Sequence, residues 1–145
     1  MELVYLWVEE YKNIHKQGFN FSPRFRCEYD EEKNELTINE NKDYVSIFPD
    51  NINVTAIVGE NGSGKSRLLE IISLFRFEKL KNSNIFLVFL EKDIFYIPLS
   101  KMESYDTFQS FDTSNINNKT TYNIESKIIT SKLYQLSFFL MDLMI

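Results

Sequence analysis

Residues 59–66 have the sequence Gly59-Glu60-Asn61-Gly62-Ser63-Gly64-Lys65-Ser66 and fill every fixed position of the phosphate-binding pattern G-x-x-x-x-G-K-[ST]. The glycines at 59 and 64 permit backbone angles that a β-carbon would obstruct, so consecutive N–H groups can surround an anion. In this pattern Lys65 reaches the β- and γ-phosphates, and the Ser66 hydroxyl lies on Mg²⁺. The pattern predicts a loop that binds ATP with Mg²⁺, and the alternative is a glycine-rich turn that binds nothing.

The flanking residues predict a strand before this loop and a helix after it. Residues 53–58 form an apolar, β-branched run typical of a buried strand. Residues 66–75 place apolar side chains at 68, 69, 71, 72 and 75, which is helical spacing. The helix N-terminus would add its partial positive charge at the phosphates. We therefore expect nucleotide contacts from Gly59 through Arg67, with Ser66 as the metal ligand.

Composition is that of an ordinary globular domain of 145 residues, with 43% hydrophobic and 26% charged residues. The net charge of −5 gives no general attraction to DNA or anionic membranes, although the net charge does not reveal a local basic patch. No apolar run approaches the roughly 18 residues that span a bilayer. Cys27 is the only cysteine, which excludes an internal disulfide, and we expect it to be a buried hydrophobe in a cytoplasmic protein.

The rest of the chain predicts mainly short strands. We expect a strand at 3–11, a hairpin at 24–39, a strand at 44–48, and a second hairpin at 85–99 with a three-residue loop at 91–93. Pro98 predicts that its strand is an edge. Residues 100–123 are polar and predicted to be irregular, and 131–145 predict a buried helix or strand.

Together these elements predict an α/β, P-loop NTPase-like fold with an incomplete core sheet. The single domain would comprise a β-rich part at 1–53, leading into the strand–P-loop–helix unit at 54–76. The hairpin at 85–99 would follow, and then the irregular segment and apolar element at 100–145.

Groups for ATP hydrolysis are harder to find than groups for binding, and no residue is predicted to be catalytic. Hydrolysis needs an acidic residue for Mg²⁺ and a group that orients water. Asp142 follows an apolar run, but Leu143 occupies the place of a catalytic Glu. Asp93 is predicted in a hairpin loop and Gln109 in an irregular segment, so both are weak candidates. His15 precedes the loop, and we expect it to be an exposed residue.

Residues 54–66 resemble the nucleotide-binding heads of ABC-type ATPases. The most similar group is the SMC and DNA-repair branch, together with AAA-labelled ATPases of bacterial anti-phage systems. The segment Glu10-Tyr11-Lys12-Asn13 and the hairpin at 24–39 match the order of elements in that branch, over approximately residues 1–100. The resemblance implies that Lys12 and Asn13 lie near the ribose or adenine; a position on a surface strand is the alternative.

The resemblance also implies a partner, because ABC-type heads close their site with a glycine-rich signature from a second head. The chain has four glycines, and three of them belong to the loop at 59–66. The signature, the catalytic strand and the switch histidine of the family have no matching positions. We therefore expect an N-terminal lobe that binds ATP and hydrolyses it only in a complete, dimeric head. The alternatives are a non-catalytic interaction module and a small-molecule kinase, whose loop would lie nearer the N-terminus.

Overall fold

The computed structural model describes residues 2–49, 52–76, 85–99, 107–112 and 119–123. These residues form one helix, α1 (Lys65–Arg76), and eight strands: β1 (Glu2–Tyr11), β2 (Ile14–Asn20), β3 (Phe25–Asp30), β4 (Glu35–Glu40), β5 (Ile85–Glu91), β6 (Ile94–Leu99), β7 (Thr107–Asp112) and β8 (Lys119–Asn123). One sheet has the order β2-β1-β5-β6-β7 and the other the order β3-β4-β8. Every pair of neighbouring strands is antiparallel.

The core lies around the two central strands β1 and β5. Val4, Leu6 and Val8 of β1 are fully buried, and all of residues 85–90 in β5 are buried. A strand covered on both faces is a continuous apolar run, as β5 is. Strand β3 instead alternates buried and exposed residues, because only one of its faces meets the core.

Aromatic side chains connect the two sheets. Phe25 of β3 meets Phe95 of β6 with ring centroids 5.0 Å apart and an interplanar angle of 81°. Tyr29 of β3 meets Phe86 of β5 at 4.9 Å and 80°. Both pairs are edge-to-face, which is the favourable arrangement for aromatic quadrupoles. The apolar face of the smaller sheet is therefore packed on the larger one.

Several sequence predictions are confirmed. The strand at 3–11, the hairpins at 24–39 and 85–99, and the helix after the loop are all present. The second hairpin has a two-residue turn and not three, because Lys92 and Asp93 both have positive φ, as a type I′ turn requires. Among the described side chains of α1, those of Leu68 and Ile71 are buried, whereas that of Leu69 is exposed.

The predicted α/β, P-loop NTPase-like fold is wrong for the described chain, which is mostly antiparallel sheet with one short helix. The strand predicted at 53–58 is not formed, so there is no strand–loop–helix unit. Val54 is 57% exposed and Val58 is 86% exposed. An apolar, β-branched run becomes a strand only when a neighbour completes its backbone hydrogen bonds, and no described strand pairs with these residues. Side-chain hydrogen bonds hold the segment instead, from Thr55 Oγ1 to the Phe21 carbonyl at 2.8 Å and from Asn53 Nδ2 to Glu2 Oε1 at 2.9 Å.

The strand predicted at 44–48 is also absent. The Ser46 hydroxyl accepts from the Phe48 N–H at 3.3 Å and donates to the Phe48 carbonyl at 2.8 Å. Such local side-chain bonds compete with strand pairing. Val45 and Ile47 consequently remain exposed.

Two further predictions fail at the ends of the sheets. Strands β7 and β8 occupy parts of the region 100–123 that was predicted to be irregular. Because β7 pairs with β6, with Phe108 opposite Pro98, the strand of Pro98 is not an edge. The apolar element predicted at 131–145 lies outside the described residues.

Candidate functional site

The loop at 59–66 ends where α1 begins, at Lys65. Gly62 and Gly64 have φ values of 84° and 97°, in the left-handed region that favours glycine. The Ser63 N–H donates to the Glu60 carbonyl at 3.2 Å, and the Leu68 N–H donates to the Gly64 carbonyl at 2.9 Å as the first bond of the helix. The free N–H groups of the first helical turn, with the positive end of the helix dipole, therefore lie at the loop.

The turn between β1 and β2 packs against this loop. A β-carbon at Gly64 would lie 3.4 Å from Ile14 Cγ1 and 3.6 Å from Asn13 Nδ2, so these two side chains lie directly over the backbone of Gly64. Asn13 Nδ2 also donates to the Gly62 carbonyl at 3.4 Å. Lys12 has a φ of 54°, which lets the chain reverse here. The turn thereby places Lys12 and Asn13 beside the loop.

A cleft of about 510 Å³ lies between the turn and the start of α1. Its lining comprises Lys12, Asn13, Asn61, Gly62 and residues 64–67. This volume is within the usual range for small-ligand sites. The lining brings together three basic side chains, two amides, one hydroxyl and loop backbone.

The three cations of the cleft are held in different ways. Lys65 Nζ donates to the carbonyls of Gly59 and Glu60, at 2.6 Å each. Lys12 Nζ donates to both carboxylate oxygens of Glu70, at 2.7 and 2.9 Å. Arg67 Nη1 lies 3.0 Å from Glu70 Oε2. The hydrogen bond from Lys12, and then that from Arg67, lowers the pKa of the Glu70 carboxyl.

The Glu70 carboxylate thus restrains Lys12 and Arg67, while the Lys65 side chain folds back onto the loop. Counting Lys12, Lys65 and Arg67 against Glu70 leaves two net positive charges at the cleft. The arrangement favours an anion with several negative oxygens. Because the ion pairs are exposed, an anionic ligand and salt can compete with them.

The structure brings most of the predicted binding residues to one place. Asn61, Gly62, Gly64, Lys65, Ser66 and Arg67 line the cleft. Gly59 and Glu60 contribute carbonyls to Lys65, and Ser63 closes the loop turn. Sequence reasoning missed Glu70, although its position three residues after Arg67 is a spacing at which helical side chains pair.

The weak catalytic candidates stay apart from the cleft. His15 is an exposed residue of β2, as predicted, and Asp93 is in the β5–β6 turn. Neither lines the cleft. Gln109 lies in β7, but its side chain is not described, and Asp142 lies outside the described residues. Within the described ranges, no three His, Cys, Asp or Glu side chains are grouped to hold a metal ion.

Comparisons with protein-family models, curated proteins and solved structures find no match for this chain. In the described part of the chain, no helix has the length and apolarity needed to cross a membrane.

Proposed function

We propose that the chain binds the triphosphate of Mg-ATP in the cleft formed by the loop at 59–66 and the β1–β2 turn. The observation that carries this proposal is the convergence of Lys12, Lys65 and Arg67 on one cleft at the N-terminus of α1. Cations and unpaired helical N–H groups are the partners that phosphate oxygens prefer. The glycine-rich sequence supports the same ligand independently.

Each residue has a specific role in this proposal. Lys65 exchanges its two carbonyl partners for phosphate oxygens, and Arg67 adds a second cation. The Ser66 hydroxyl and the phosphate oxygens hold Mg²⁺, since this cation takes oxygen ligands and is commonly bound with substrate phosphates. The metal therefore enters with the nucleotide and neutralises part of its charge.

The proposal covers binding, and hydrolysis would need groups from a second ATPase head. The resemblance of residues 54–66 to ABC- and SMC-type ATPases supports such a partner, with DNA repair or anti-phage defence as the setting. We propose a cytoplasmic location, in keeping with the free, buried thiol of Cys27. The proposal concerns the phosphate site and does not extend to an α/β core.

Isothermal titration of Mg-ATP into wild type and Lys65→Ala tests this function. A charge-assisted contact contributes about 1.5–3 kcal/mol, so Lys65→Ala should weaken binding about tenfold to hundredfold. Lys42→Ala removes an equal charge outside the cleft lining and serves as the control. Equal affinities for wild type and Lys65→Ala, or no binding by wild type, would exclude the proposal.

A non-catalytic interaction module remains the second candidate because of the exposed apolar side chains Val45, Ile47, Val54 and Val58. Exposed apolar side chains are typical of contacts between proteins where they form one patch. Sedimentation velocity with and without Mg-ATP separates the two functions. Association that is independent of nucleotide and lost in an Ile47→Ser/Val58→Ser variant, in a protein without ATP affinity, would favour the module.

A further inference from the structure

Lys12 lines the cleft from a different element than the loop and the helix. It lies in the turn between β1 and β2, on the wall that faces the start of α1. This turn is packed on the loop, because the Ile14 side chain would lie 3.4 Å from a β-carbon at Gly64. A ligand in the cleft would therefore have Lys12 on one side and the glycine-rich loop on the other.

Lys12 and Arg67 share one oxygen atom of Glu70. Lys12 Nζ donates to Glu70 Oε2 at 2.9 Å, and Arg67 Nη1 donates to the same oxygen at 3.0 Å. Because both cations are within hydrogen-bond distance of a single atom, one oxyanion is enough to bridge them. The Glu70 carboxylate fills this role and joins a cation of the β1–β2 turn to a cation in the first turn of α1.

A phosphate group can take the place of this carboxylate. The side chains of Lys12 and Glu70 are 45% and 31% exposed, so their ion pair is open to competition from an anionic ligand. Arg67 extends from the same helical turn whose free N–H groups lie at the loop. A phosphate chain that begins at those N–H groups meets Arg67 first, and the Lys12 ammonium lies beside Arg67.

We infer that Lys12 binds a phosphate of the nucleotide in exchange for Glu70, and so closes the site from the β1–β2 turn. This inference rests on the proposed function and deepens it, since it adds a phosphate contact on the wall opposite the loop. It differs from the position near the ribose or adenine that the family resemblance implies for Lys12. The ligand then replaces Glu70 as the anion that joins the turn to the helix.

Two substitutions that break the same ion pair test this exchange, because it predicts opposite effects for them. Lys12→Met removes the cation that would contact phosphate, whereas Glu70→Gln removes its competitor. In titrations of the full chain with Mg-ATP, Kd should rise about threefold to tenfold for Lys12→Met and fall about twofold to fivefold for Glu70→Gln. If the ion pair only holds the turn in place, both variants should shift Kd in the same direction or leave it unchanged, and either result would overturn the inference.

Inorganic tripolyphosphate with Mg²⁺ separates a phosphate contact from a nucleoside contact. It carries the three phosphates without ribose or base, so Lys12→Met should weaken its binding by about the same factor as that of ATP. A loss of affinity confined to ATP would place Lys12 at the ribose or base and overturn the inference.

Lys16→Met is the matched control, since it breaks a comparable exposed ion pair, with Glu31, outside the described cleft lining. Its Kd values should equal those of wild type, and a rise as large as that in Lys12→Met would assign the effect to net charge and overturn the inference. Loss of binding in Lys65→Ala without any change in Lys12→Met would overturn the inference alone. Absence of binding of both ligands by wild type would overturn the proposed function as well.

Discussion

Lys12 Nζ donates to both carboxylate oxygens of Glu70, although the two residues are 58 positions apart in the sequence. Lys12 lies in the β1–β2 turn and Glu70 in the middle of α1. The contact joins the sheet to the helix beside the candidate phosphate site. Since Glu70 also pairs with Arg67, one carboxylate holds two of the three cations that would bind phosphate in the proposed site.

Replacing Glu70 with glutamine should strengthen anion binding. Glu70→Gln keeps the shape of the side chain but removes the negative charge, which frees Lys12 and Arg67 for phosphate. We expect Kd for Mg-ATP to fall about twofold to fivefold, the range that exposed ion pairs allow. Titration calorimetry at low salt measures this change. Glu28→Gln, an exposed substitution outside the cleft lining, is the control, and weaker binding by Glu70→Gln would contradict the competition.

Alanine at Gly64 should destabilise the loop more than alanine at Gly59. Gly64 has a φ of 97°, whereas Gly59 has no positive φ. A residue with a β-carbon in the left-handed region costs about 1–2 kcal/mol. At Gly59 the added carbon would lie 2.6 Å from Ser63 Oγ, which can rotate away, and 3.9 Å from Lys65 Cδ, which is an ordinary contact. Denaturant midpoints of the two variants make the comparison, and equal losses would show that the loop conformation differs from the one described.

The thiol of Cys27 should be unreactive in the folded protein. Burial raises the pKa of this thiol to about 12 from an ordinary value near 9.0. The folded state therefore disfavours ionisation, and the stability that this group contributes is complete below pH 9 and is lost as pH rises from there toward 12. Iodoacetamide at pH 8 should modify Cys27 only after unfolding. Relative to Cys27→Ala, the wild type should also lose stability above pH 9; rapid native alkylation would contradict this burial.

Truncation of Val58 should have little effect on stability, in contrast to truncation of Val88. Val58 is 86% exposed, whereas Val88 is fully buried in β5. Val58→Ala should change the free energy of unfolding by less than about 0.5 kcal/mol. Val88→Ala should cost about 2 kcal/mol through lost apolar burial and the remaining cavity. A large loss of unfolding free energy for Val58→Ala would contradict the exposure of this side chain.

The strands that could be predicted from the sequence are those whose pattern is local. Residues 85–90 are apolar throughout and become the central strand β5, and the alternation of β3 marks its single buried face. Strand β8 has no such pattern, since Lys119–Asn123 is polar. It pairs with β4, where the hydroxyls of Thr121 and Thr37 lie 3.2 Å apart. Its conformation is therefore determined by pairing with a strand that is distant in the sequence.

The converse error arose at 53–58, where a strongly strand-like sequence has no described neighbour to pair with. The residue types there do favour a strand, but a strand forms only when a neighbouring strand, which can be distant in sequence, completes its backbone hydrogen bonds. In the candidate site the same distinction holds. The loop motif predicted the helix start and the left-handed backbone at Gly64, but it assigned the other special glycine to Gly59, whereas Gly62 has the positive φ. The pairing of Glu70 with Lys12 and Arg67 depends on how the β1–β2 turn meets α1.

Phosphate binding at residues 61–67 can be observed residue by residue in an NMR titration of ¹⁵N-labelled protein with Mg-ATP. The largest amide shifts should fall on Gly62, Gly64, Lys65 and Ser66, with smaller shifts at Asn13 in the facing turn. Tripolyphosphate should reproduce the same pattern, and Lys65→Ala should require a much higher ligand concentration. Saturable ATP binding that leaves these amides unshifted, or shifts centred on another part of the chain, would contradict phosphate binding at this loop.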